Sequence, residues 1–150
     1  MRTNWKKAFE QLLATSAYFD VLENVDCQTE EMCLLAVNVN VNFFQSVRKQ
    51  TPEICLIAVR GNGMLLEYVE HQTYEICLAA IQDDLQAFDF VKQTPEICLA
   101  AVNIDGTMLS EIDEEYHTYE ICLAACLNTA DALEYVADME LKHRLALALI

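Results

Sequence analysis

The hydrophobic positions of this chain recur in a fixed order about every 22 residues. The run "TPEICLIAV" from Thr51 returns as "TYEICLAAI" from Thr73, "TPEICLAAV" from Thr94 and "TYEICLAAC" from Thr118. Cys33, Cys55, Cys77, Cys98 and Cys122 stand 22, 22, 21 and 24 residues apart. Eleven residues beyond them lie Phe44, Leu66, Phe88, Leu109 and Leu133, and three further on lie Val47, Val69, Val91, Ile112 and Val136. A period of this length marks a stacked repeat, in which each unit covers the apolar face of the next.

Each unit reads as two short helices. The first begins at Thr51, Thr73, Thr94 or Thr118, whose hydroxyl can accept from the orphan amides of the opening turn. Pro52 and Pro95 follow at the first helical position, where a missing N–H costs nothing. Glu53, Glu75, Glu96 and Glu120 then meet the positive end of the peptide dipoles. The helix is apolar around most of its circumference, as in Ile54 to Val59, so it must be covered on several sides. It ends near Arg60, Gln82 or Asn103, with the glycines of "GNG" at 61–63 and "DG" at 105–106 expected to supply the turn. The second helix, for example Met64 to Glu70, is amphipathic, with Leu65, Leu66 and Val69 toward the stack and Glu67 and Glu70 toward water.

The predicted fold is all-α, a short alpha-solenoid of helix-turn-helix units. Leucine-rich repeats share the period, but their phrase alternates around a strand. The alanine pairs at 79–80, 100–101 and 124–125 favour helix and close approach of backbones instead. Tyr74 and Tyr119 replace Pro52 and Pro95, which pairs the units into a longer period of 43–45 residues. The register gives one repeat domain over 1–150. A degenerate first unit covers 1–28, with Gln11 at the cysteine position and Leu22 and Val25 on the anchors. Repeats follow at 29–50, 51–72, 73–93, 94–117 and 118–138, and a capping helix at 139–150.

Composition narrows the function. A chain of 150 residues that is 54% hydrophobic is not disordered, and a net charge of -15 opposes nucleic acid and anionic bilayers while favouring a basic partner. No lysine or arginine occurs between Lys92 and Lys142, and the inserted "DEEY" at 113–116 is expected to project from a unit junction. Glu111, Asp113, Glu114, Glu115, Tyr116, Tyr74 and Tyr119 are therefore the candidate protein-binding residues. Solubility is the competing reason for the acidic field, and filling the groove between successive helices is the competing role of the tyrosines. Leu145, Leu147 and Ile150 invite end-to-end self-association unless they fold back onto the last unit.

Little in the chain points to catalysis or to a cofactor. Stacked helices lie about 8–10 Å apart, beyond the roughly 7 Å between α-carbons that a disulfide tolerates, so the repeat cysteines are expected to stay reduced in a buried core. Cys122 and Cys126 share a helical face without further metal ligands in sequence. Of His71, His117 and His143, only His117 beside Glu115 offers acid–base chemistry on paper, and an exposed junction residue is the simpler reading. The N-terminal "MRTNWKKAFEQLL" is not a signal peptide and no apolar run approaches the roughly 20 residues of a membrane span, so an intracellular, cytoplasmic setting is expected.

Phrases of the type "TPEICLAAV", followed by "NxxGxxLEYV", resemble the helical repeats of domain-of-unknown-function family 4116. The resemblance runs from about Thr29 to Asp138 and is strongest at Thr51–Val59, Thr94–Gly106 and Ala132–Val136. That family occurs mostly in amoeba-associated intracellular bacteria, large DNA viruses and some protists. The resemblance implies repeat architecture and a host-interaction context, with the cytoplasm of a host cell as one setting, and it assigns no activity to any residue. The expected function is a non-enzymatic interaction module with an acidic surface. A structural or self-associating repeat segment is the alternative, and an enzyme built near His117 a distant third.

Overall fold

A computed structural model describes residues 5–15 and 21–150. These form an all-α array of units about 22 residues long, each an α-helix followed by a short 3-10 helix. The α-helices are α1 (Trp5–Thr15), α2 (Glu30–Val39), α3 (Pro52–Gly61), α4 (Tyr74–Asp83), α5 (Pro95–Ile104), α6 (Tyr119–Asn128) and α7 (Met139–Ala148). The 3-10 segments are η1 (Val41–Ser46), η2 (Gly63–Tyr68), η3 (Leu85–Phe90), η4 (Gly106–Glu111), η5 (Glu114–Tyr116) and η6 (Ala130–Tyr135). The chain divides into two compact units, Met1–Ala87 and Phe88–Ile150. In the first, α3 packs between α2 and α4 while η2 lies against α4 and beside η1; in the second, α5 packs on α6, and η4 lies against α6 and η6.

The helix starts follow the sequence. Thr29, Thr51, Thr73, Thr94 and Thr118 each cap a helix by accepting the N–H three residues on, at 3.3–3.5 Å. The inner helices bury Ile54, Cys55, Ala58 and Val59 in α3 and the matching residues Ile97, Cys98, Ala101 and Val102 in α5. Of the downstream anchors, Phe44, Leu66, Phe88 and Leu109 are buried, and Leu22 in the degenerate first unit joins them. Leu133, in the last repeat, is only half-buried.

The second element is shorter and tighter than the amphipathic pattern suggests. Six residues of 3-10 helix rise about 12 Å, against about 15 Å for ten residues of α-helix, so the outer segment nearly matches the inner helix with fewer residues. The buried and exposed sides are as read, with Leu65, Leu66 and Val69 inside and Glu67 and Glu70 outside.

Asparagine or aspartate, not glycine, makes the turn. The N–H of Asn62 closes α3 on the Ala58 carbonyl at 2.9 Å, and its Oδ1 accepts the Met64 N–H at 3.1 Å, opening η2. Asn40 and Asp105 do the same in their units. No glycine adopts positive φ, so Gly63 and Gly106 are not needed for backbone freedom. They are needed for space. A Cβ on Gly63 would overlap the Ala80 carbonyl oxygen, and one on Gly106 would overlap that of Ala125. Each glycine also gives its N–H to the end of the neighbouring helix, Gly63 to Asp83 Oδ2 at 2.7 Å and Gly106 to Asn128 Oδ1 at 3.0 Å.

Candidate functional site

The repeated cysteine is part of a clamp that the sequence pattern alone leaves unread. One residue before the threonine cap stands Gln28, Gln50, Gln72 or Gln93. Gln50 donates Nε2–H to the Tyr68 carbonyl at 2.7 Å and accepts the Glu70 N–H at Oε1 at 3.0 Å. The side-chain amide thus acts as an extra peptide group, stapling the start of a repeat to the end of its own outer segment. Gln28 bonds the Ser46 carbonyl and the Arg48 N–H in the same way, and Gln93 bonds the Glu111 carbonyl and the Asp113 N–H. The thiols of Cys33, Cys55, Cys77 and Cys98 each donate to the Oε1 of the preceding glutamine at 3.5–3.8 Å. A cysteine is small enough for the core and still carries a weak donor for that oxygen. The signal in the sequence was the recurring Gln-Thr dipeptide five residues ahead of the cysteine.

All seven cysteines are free thiols, and Cys27 alone is exposed. It lines a cleft of about 370 Å³ with Gln28, Arg48 and Lys49. Burial pushes the Cys98 thiol up to about 11, with the charge of Asp113 adding to the effect, and burial beside Cys126 pushes Cys122 up to about 11. Burial also raises Cys33, Cys55 and Cys126. Two results follow for the native chain. A maleimide or aromatic disulfide reagent should label Cys27 first and the other six only on unfolding, as peptide mapping would show; fast labelling of Cys98 or Cys122 would contradict the buried placement. Stability should also fall as pH rises from 9 toward 11, because the unfolded thiols ionise while the folded ones hold their protons. Thermal melts across that window should be flatter for a Cys98→Ala/Cys122→Ala variant than for the parent.

The acidic junction folds into a short turn. Gln93 pins the Asp113 amide, η5 follows, and the His117 N–H closes on the Glu114 carbonyl at 3.1 Å. Glu111, Asp113, Glu114 and Glu115 are exposed, whereas Tyr116 and His117 are half-buried. His117 occupies the place of the clamp glutamine, and its Nε2–H donates to the Ile112 carbonyl at 3.0 Å. Among the described residues, no three histidine, cysteine or acidic side chains are grouped to hold a metal ion.

The tyrosines open the α4 and α6 helices. Tyr74 is 47% exposed and Tyr119 37% exposed, and Tyr119 lines the groove between α5 and α6. Arg144 of α7 lies over the Tyr119 ring, 5.0 Å from its centroid, a cation–π contact within one unit. The C-terminal reading needs one correction. Leu145 is fully buried against the last repeat and offers nothing to a partner, because α7 turns that face onto α6 and η6; Leu147 and Ile150 remain exposed. No described helix is long and apolar enough to cross a membrane. Among known proteins, no family model, no curated protein and no solved structure matches the chain.

Proposed function

We propose that the protein is a non-catalytic repeat scaffold that associates with copies of itself through its C-terminal unit. The observation that carries this reading is the set of large apolar side chains left in water there, with Leu127 70%, Met139 76% and Leu147 62% exposed and Ile150 fully so. Single exposed apolar residues are ordinary, but several in the same 24-residue stretch favour burial against another molecule. The recurring polar side chains support a structural role too, since the threonine caps, asparagine turns and glutamine clamps spend their hydrogen bonds on the chain's own backbone. Likeness of the repeat wording to family 4116 supports the repeat architecture alone, and buried thiols suit a reducing compartment such as the cytoplasm.

Sedimentation equilibrium from about 1 to 100 µM tests it, a range that detects micromolar association. The mass should rise with concentration for the native chain and stay monomeric for Leu147→Glu/Ile150→Glu, both exposed positions. A monomeric native chain throughout that range would sink the proposal.

A second reading, an acidic interaction surface, is favoured by the exposure of Asp113, Glu114 and Glu115 on a turn anchored by Gln93. A basic partner held there should be lost when the three become lysine.

A further inference from the structure

The groove between α5 and α6 combines an apolar floor with an acidic rim. It encloses about 570 Å³, with Pro95, Leu99, Tyr119 and Ile121 as its apolar lining and Glu96 and Glu120 beside them. Both glutamates sit in the first turn of a helix whose threonine cap fixes its start, and both are exposed. The stretch from 93 to 141 itself holds no lysine or arginine. One wall already receives a guanidinium, since Arg144 lies over the Tyr119 ring.

We propose that this groove binds a peptide segment in which an arginine stands next to a bulky aliphatic residue. The aliphatic side chain would bury against Pro95 and Leu99, which keep apolar surface in water, and the gain scales with the apolar area removed from it. The guanidinium would meet the carboxylates of Glu96 and Glu120. Arginine fits better than lysine here, because its planar fork can bond a carboxylate with two parallel N–H groups. Nucleic acid and anionic lipid are poor occupants for the same reason that an arginine is a good one: the rim carries negative charge. The groove lining includes neither the turn at 113–115 nor the exposed C-terminal side chains, so this proposal does not depend on self-association.

The test pans a random dodecapeptide phage library on the full chain. Enriched sequences are synthesised with fluorescein and titrated by anisotropy at low and high salt. The expected peptides share an arginine beside leucine, isoleucine or valine. Glu96→Gln/Glu120→Gln should weaken them by about tenfold or more and flatten the salt dependence, as loss of a charge-assisted pair does. Leu99→Glu should abolish capture, with circular dichroism melts checking that it folds; the glutamine pair lies at exposed positions and keeps the test decisive if it does not. Asp113→Lys/Glu114→Lys/Glu115→Lys should weaken binding at low salt through long-range charge alone, and that loss should vanish at high salt, where the glutamine pair still shows its effect. No enrichment, a consensus without arginine, or binding that survives the glutamine pair overturns the proposal. Loss in the 113–115 variant alone also overturns it and places the basic partner on that turn.

Discussion

Alanine at Gly63 or Gly106 will destabilise the fold by about 2–3 kcal/mol, a large cost for adding one methyl group. The clash is with main chain, the carbonyl oxygens of Ala80 and Ala125, so a side-chain rotation cannot relieve it. At Gly106 the new Cβ would also come within 2.8 Å of Thr129 Cβ and 3.0 Å of Thr129 N. Relief requires the outer segment to move away from the neighbouring helix, which also strains the Gly63 bond to Asp83 or the Gly106 bond to Asn128. Gly61→Ala is the internal control. Its Cβ would meet only the Val41 side chain, at 2.6 Å from Cγ1, and alanine is a better helix residue by roughly 0.5–1 kcal/mol. Urea unfolding of the three variants should therefore show two large losses and one change near zero. Equal losses at all three positions would mean that the close packing of Gly63 and Gly106 is not what fixes them.

Gln50→Ala should cost about 1–3 kcal/mol, because it orphans the Tyr68 carbonyl and the Glu70 N–H at once. Both groups lie near the surface, so water recovers part of the loss and keeps the value below that of a deeply buried pair. Cys55→Ala alone should cost less, and the two changes together less than their sum, since the thiol no longer has an Oε1 to donate to once Gln50 is gone. A double-mutant cycle read by thermal or urea unfolding measures that coupling. Strict additivity would reduce the thiol contact to proximity. The same cycle at Gln93 and Cys98 carries a further readout, because Gln93 also fixes the Asp113 amide at the base of the acidic turn.

Helix starts were legible because capping is local. A threonine, a proline or tyrosine and a glutamate in succession satisfy the first-turn amides without help from the rest of the chain, and all the threonine caps lie where the pattern places them. The apolar anchors were legible for a related reason, since a 22-residue period repeats the same burial in each unit. Glu111, Asp113, Glu114 and Glu115 are exposed, Glu111 and Asp113 at the repeat positions that Tyr68 and Glu70 hold in an earlier unit.

What the sequence determined by itself was the repeat, its caps and its apolar stripe, all set by short-range spacing. The tertiary structure decided the rest. Glycine in "GNG" and "DG" looks like a turn residue until a neighbouring carbonyl is found against it, and that carbonyl lies 17 residues away at Ala80 or 19 away at Ala125. The glutamine before each threonine looks like an ordinary polar residue until its partners, 18 and 20 residues on, are brought back to it. Leu145 looks like part of an apolar tail until α7 docks and buries it. In each case the deciding contact joins residues that local propensity treats as independent, and only stacking of one unit on the next, or closure of a unit on itself, puts them within reach.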